Sequence, residues 1–126
     1  MTLDRSIGPR CNIGPEEIAR RRRSATVLTL AAAVVAILLV GAHVPPALRL
    51  AIWPFAAAAA VNWMQVIHRF CVAFGTLGIE NFGALGNAVP VDRATKAADR
   101  RRALQLVAEG SLIGLVVTAA LVALPV

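Results

Sequence analysis

Residues 25 to 42 run for eighteen positions without a charged side chain, and four consecutive arginines, Arg20 to Arg23, stand just before them. At ~1.5 Å per residue the run makes a helix of ~27 Å, close to the thickness of a bilayer's hydrocarbon core. A small water-soluble core has no room for an apolar rod of that length. The rest of the chain repeats the arrangement. Of its 126 residues 58% are hydrophobic and only 16% charged, whereas a soluble domain is about half apolar and about a quarter charged. The charges lie in blocks between apolar runs. The chain therefore reads as one all-α integral membrane domain, residues 1–126, with three transmembrane helices.

Residues 1–23 form a basic N-terminal segment, polar and tail-like as far as residue 14. Gly14-Pro15-Glu16-Glu17 then starts a helix. Gly14 suits the N-cap, Pro15 loses no hydrogen bond at the first helical position, and the two glutamates complement the positive end of the helix dipole. Ile13 and Ile18 fall at the positions of a hydrophobic staple. The first span, 25–42, stops before Pro45-Pro46. A cleaved signal peptide also places cations before an apolar run. Its apolar region is usually only about 7–15 residues, and here further spans follow.

The second span covers 48–67. Arg49 lies near its outer end, with its head group expected to snorkel to the interface. Pro54 is expected to kink the first turns. Ala56 to Ala60 allow close helix contact, and Trp53 and Trp63 suit the two interfaces. Residues 68–102 form a Gly-rich loop followed by a basic helix that Asp92 can cap. The loop carries an echo, FGTLG at 74–78 and FGALG at 82–86, whose aromatics suggest that it lies against the interface. The echo contains no phosphate- or dinucleotide-binding fingerprint; Glu80 and Asn81 would be the polar members of any binding loop there. The last span is 104–124.

Charge sets the orientation. Of the thirteen cations, six precede the first span, six (Arg69, Arg93, Lys96 and Arg100 to Arg102) lie between the second and third, and only Arg49 lies between the first and second. The positive-inside rule then puts the N-terminus inside and the C-terminus outside. Arg20, Arg21, Arg22, Arg23, Arg100, Arg101 and Arg102 are assigned to orientation and to contact with anionic lipid headgroups, at roughly 1 kcal/mol each near the surface. Because the basic residues flank apolar runs, the net charge of +6 does not signal nucleic acid. Twelve arginines against one lysine, with abundant alanine, fit a GC-rich bacterial coding sequence, hence the cytoplasmic (inner) membrane of a bacterium.

Gly110 and Gly114 form a GxxxG, and Thr118 extends the same helix face. Small residues let helix backbones approach, the main attraction available in lipid. This face serves either homo-oligomerisation or docking to a larger membrane protein, or else packing inside the chain. Glu109 lies just before it in the inner part of the span. It reads as an interfacial carboxylate paired with Arg69, Arg101 or Arg102, or else as an ion site. With Asn62 and Gln65 it would be the polar set of a small transporter subunit. His68 and Cys71 share a face if the helix continues, and Cys11 falls on the same side of the membrane. The three are candidates for a soft metal or for thiol redox chemistry. His43 and His68 lie at opposite membrane faces, roughly 30 Å apart, which excludes haem ligation by the pair within one chain. There is no Ser/His/Asp set and no pair of carboxylates across a cleft, so no catalytic machinery is visible and no cofactor is expected.

Cys11-Asn12-Ile13-Gly14-Pro15-Glu16-Glu17-Ile18, Arg69-Phe70-Cys71-Val72-Ala73-Phe74-Gly75 and Asn81-Phe82-Gly83 resemble strings in a family of small uncharacterised bacterial integral membrane proteins. The resemblance implies no activity. It implies that the charge-rich segments matter as much as the spans, and that Cys11 and Cys71 lie near each other. The leading expectation is a non-enzymatic accessory or interaction protein, docked through Gly110, Gly114 and Thr118 and presenting the 69–102 region to the cytoplasm. The alternatives are the thiol or metal site and the transporter subunit.

Overall fold

The structure, a computed structural model, describes residues 11–125. Arg5 and Arg10 of the basic N-terminal segment lie outside the described residues. Three helices are long and apolar enough to cross a membrane. Helix α1 covers Pro15–Gly41. A 3-10 turn, Pro46–Ala51, leads directly into α2, Ile52–His68. A short helix α3, Val72–Leu77, and a minimal antiparallel pair, β1 (Ile79–Glu80) and β2 (Val89–Pro90), fill the connection. Helix α4 covers Arg93–Val122 as one continuous rod. The Gly-rich connection is thus a folded unit with its own helix and hairpin.

Local chemistry explains the element ends. Gly14 caps α1 with extended backbone, and its carbonyl accepts the amide of Ile18 at 2.9 Å. Pro54 sits in the first turn of α2, where its missing N–H has no intrahelical acceptor to lose. The expected kink therefore has no cause there. Both α1 and α2 end with one residue in the left-handed conformation, His43 (φ 56°) and Arg69 (φ 52°). After α1, His43 and Val44 donate back to Val40 and Leu39; after α2, Arg69 and Phe70 donate back to Val66 and Gln65. This is the paired bonding of a Schellman turn, here built without the usual glycine.

Helix α2 is central and packs on both α1 and α4, which barely touch each other. Small residues hold the α2–α4 seam. The buried positions of α4 are Thr95, Asp99, Ala103, Leu106, Gly110, Gly114 and Thr118, a stripe with steps of three and four. A Cβ on Gly110 would stand 2.5 Å from Val61 Cγ2, and one on Gly114 would stand 2.6 Å from the Ala57 nitrogen. Thr118 turns its hydroxyl to the Gly114 carbonyl at 2.8 Å, so that hydroxyl is satisfied within its own helix. Trp63 Nε1 donates to Thr29 Oγ1 at 2.8 Å and ties α2 to α1. Away from the seams the helices expose apolar side chains, among them Leu30, Ile37, Leu38, Leu112 and Val116. An exposed apolar surface of this extent is of the kind that meets a membrane or another protein.

These contacts fix the relative heights. Residues near 25, 68 and 103 lie at one level, where the clustered cations of this end stop. Beyond it the polar ends of α1 (15–24) and α4 (93–102) continue for ten residues each, ~15 Å of helix. The 69–92 connection fills the space around them. At the opposite end lie the 3-10 turn and the C-terminal end of α4.

Candidate functional site

The charge-rich end holds a buried polar node built from three distant stretches of chain. Arg69, in the left-handed conformation, ends α2, and Cys71 follows in extended backbone. Phe70 turns inward and packs with Ala103 and Leu106, with Met64 and Val72 against the same cluster. Gly75 is required there, since a Cβ would stand 2.6 Å from the Phe70 ring. With Phe70 fixed, the Cys71 peptide faces residue 12. Asn12 then grips it from both sides: its Oδ1 accepts the Cys71 amide at 2.6 Å and its Nδ2 donates to the Cys71 carbonyl at 3.1 Å. Its own amide donates to the Arg69 carbonyl at 3.1 Å.

From Asn12 the node extends to the hairpin. Asn81 N–H donates to the Asn12 carbonyl, and Gly14 N–H donates to the Asn81 carbonyl, forming a parallel bridge between residues 13 and 81. The Asn81 side chain donates to Glu17 Oε2 at 3.1 Å and to the Ala84 carbonyl at 2.8 Å, and accepts the Gly83 amide at 3.0 Å. Gly14 admits this approach because a Cβ would stand 2.4 Å from the Phe82 carbonyl oxygen. Glu17, only 1% exposed, has Arg21 at 3.6 Å. Arg21 in turn donates to Cys71 Sγ at 2.8 Å and stands 5.7 Å from the centre of the Phe74 ring. Burying a carboxylate is costly unless it is paired and hydrogen-bonded, and here the arginine and the asparagine both engage it.

Residues 11–14 are therefore a fastened segment and not the free end of a tail: Asn12, Ile13 and Gly14 are all buried. Each of the three strings quoted above supplies members of the node. Asn12, Gly14 and Glu17 come from the first, Cys71, Phe74 and Gly75 from the second, and Asn81 and Gly83 from the third.

The site residues expected from sequence separate into groups. Gly110, Gly114 and Thr118 face α2 of the same chain, so the expectation that they dock a second protein is corrected: no backbone can reach them while Val61 and Ala57 occupy the seam. Cys11, His68 and Cys71 do not gather. The turn at Arg69 ends the helix face on which His68 and Cys71 were to meet. His68 Nδ1 pairs with Arg102 at 3.1 Å, Cys71 is buried under Arg21, and Cys11 is exposed. Among the described residues no group of three His, Cys, Asp or Glu side chains is placed to hold a metal ion.

Asn62 and Gln65 are committed locally as well. Asn62 donates to the Ala58 carbonyl of its own helix, and Gln65 Oε1 accepts the first amide of α3, that of Val72, at 2.9 Å. Glu109 is exposed and, among the described residues, within ion-pair distance of no cation, so the expected pairing with Arg69, Arg101 or Arg102 is not formed. Arg102 is already held by His68 and Gln105. Nothing joins Glu109 to Asn62 and Gln65 in one polar set. Of the orientation arginines, Arg20, Arg22, Arg23, Arg100 and Arg101 are exposed, whereas Arg21 and Arg102 are turned inward; Arg100 also donates to the Thr76 carbonyl at 3.4 Å.

Arg49 differs most from its sequence reading. It does not snorkel. It is fully buried, and Nη1 donates to the carbonyls of Leu121 (3.0 Å) and Leu124 (3.1 Å). The last turn of a helix leaves carbonyls without intrahelical partners and carries the negative end of the dipole, and a guanidinium answers both. Comparison with protein-family models, with curated proteins and with solved structures returned no match.

Proposed function

We propose that this chain is a small, non-enzymatic interaction protein of a bacterial cytoplasmic membrane, with its N-terminus inside and its C-terminus outside. The observation that carries this reading is the node around Asn12, Glu17, Asn81 and Cys71. It places a folded layer at the end where the cations concentrate and rigidly presents the 82–88 loop beyond it. The long helices supply anchorage and their glycines are used within the chain, so the layer is the surface left to meet a partner. Exposed Arg20, Arg22, Arg23 and Arg101 lie next to the level where the apolar stretches begin, which suits anionic headgroups. Reporter fusions at Val126 and in the 82–88 loop test the orientation. Periplasmic activity at Val126 with cytoplasmic activity in the loop is the expected pair; the reverse pair overturns the reading.

A further inference from the structure

We propose that Glu109 marks a docking face on α4 for a membrane helix of a different protein, one that carries a Lys or Arg at the same depth. This goes beyond the reading above. It rests on the placement of the chain in a membrane and not on which end faces the cytoplasm. Depth is the first observation. Ala103 lies at the level where the clustered cations stop, and Glu109 is six residues further along α4. At ~1.5 Å per residue that is ~9 Å into the apolar stretch. Half of a hydrocarbon core is ~15 Å, so the backbone of Glu109 is nearer the midplane than the boundary. Helix side chains slant toward the N-terminal end, here back toward the charged layer, but a glutamate is too short to cover the whole of that distance.

Isolation is the second. Glu109 is exposed, and among the described residues it forms no hydrogen bond and no ion pair. Arg102, seven residues back on the same face, is turned inward, where it pairs with His68 at 3.1 Å and donates to Gln105 Oε1 at 3.3 Å. The exposed residues that border Glu109 at helical steps of three, four and seven are Gln105, Leu112, Ile113 and Val116. Gln105 is held by Arg102, and the three apolar side chains are about half exposed or more. The carboxylate therefore has hydrocarbon beside it and no donor. Such an arrangement is expensive, and ionisable groups within membranes escape it by pairing. The buried stripe of α4 through Gly110 and Gly114 faces α2, so a helix can cover the Glu109 face without disturbing the seam.

Charge selects the occupant. Lipid tails bring no cation, and the amines of lipid headgroups stay at the boundary. A second copy inserted the same way holds each residue at the depth it has here. Apart from Arg49 at the opposite end, the cations of the chain all lie within 5–23 and 69–102, outside the apolar stretches. None of them would meet Glu109, and the second copy's own Glu109 would bring like charge to like charge. The group that completes the face is a cation ~9 Å inside the hydrocarbon, which a helix of another chain can carry. Leu112, Ile113 and Val116 then give that helix an apolar strip to pack on.

The test uses the full chain, with a donor fluorophore on exposed Cys11, in vesicles of phosphatidylethanolamine and phosphatidylglycerol. The probes are acceptor-labelled peptides of ~20 residues, nearly all Leu, with Lys, Leu or Glu at the position ~9 Å inside the bilayer. That much leucine outweighs one charge, so all three insert. Energy transfer should half-saturate at a peptide-to-lipid ratio about tenfold lower, or less, for the Lys peptide than for the other two. Glu109→Gln should remove that advantage, and Glu109→Lys should transfer it to the Glu peptide. Equal transfer to the three peptides overturns the proposal, as does a Lys preference that survives Glu109→Gln. Donor- and acceptor-labelled copies mixed without peptide should show only random transfer; transfer above random that Glu109→Gln abolishes makes a second copy the occupant and also overturns it. All these substitutions are at an exposed position, and an unchanged melting temperature certifies that each variant is folded. Reporter fusions with reversed orientation leave the peptide result standing, so the two failures are told apart.

Discussion

The seam between α2 and α4 and the node at the charge-rich end solve the same problem, joining distant stretches of chain, by opposite means. The seam works by omission. Gly110 and Gly114 remove side chains so that two backbones touch, and Thr118 satisfies its hydroxyl on its own helix. The node works by addition: Asn12 and Asn81 each make several hydrogen bonds that no smaller residue could make. In lipid there is no hydrophobic gain from joining two apolar rods, so contact area between backbones is the available attraction. Near water, orientation has to be specified, and buried amide side chains do this because each unmade bond is expensive.

The sharpest way to break the comparison is at the seam. Leu at Gly110 and Gly114 meets backbone that cannot retreat without opening α2 from α4, a cost of about 1–3 kcal/mol per site. The melting temperature in detergent should fall further for this pair than for any other change proposed here, and an unchanged value would mean that the seam is not what holds the helices. Asn81→Ala comes next. It removes the hydrogen bond to the Glu17 carboxylate, leaving that group only Arg21, and frees the hairpin; each buried group left unsatisfied costs about 1–3 kcal/mol. The reporter is Cys71, which is 1% exposed while Cys11 is exposed. In the wild-type protein a maleimide should modify Cys11 quickly and Cys71 slowly. Asn81→Ala or Asn12→Ala should accelerate Cys71, while Gly114→Leu should move it far less. Similar acceleration in all three would merge the two regions into one cooperative unit.

Arg49→Leu is a smaller perturbation. It removes the donor to Leu121 and Leu124 at a cost of about 1–2 kcal/mol. Amide exchange should rise over residues 119–125 and stay unchanged in 93–100. Smallest is Arg69→Gly, which relieves a left-handed non-glycine residue worth about 1–2 kcal/mol. Part of that is returned as added freedom in the unfolded chain, so stability should rise slightly or hold; a clear loss would show that the arginine side chain contributes more than its backbone costs.

The long helices were readable because their signal is local. An uncharged run of eighteen residues and a GxxxG need no knowledge of the rest of the chain. What the GxxxG faces is not local, and the structure gives it to α2 where a partner had been expected. The node left almost no trace in composition or period. Its long-range bonds join residues separated by 50 to 69 positions, and an asparagine destined to clasp a cysteine peptide looks like any loop asparagine. The one available signal was the three strings themselves, which contain the bonded residues. Arg49 shows the same limit: its place near an outer helix end was visible, but the helix end that would meet it comes 72 residues later. On a continuing helix His68 and Cys71 share a face, and nothing in Arg69 announces the left-handed turn that ends it.

The guanidinium closing the far end has a bearing on how the molecule is assembled. When the first two helices have emerged, Arg49 already sits at their joint, yet the carbonyls it will hold have not been made. Until the final turn arrives it remains a charge without its lid. Arrival of the last helix is therefore the event that latches the bundle, and a chain cut short before Leu121 would keep most of its apolar length and still fail to lock.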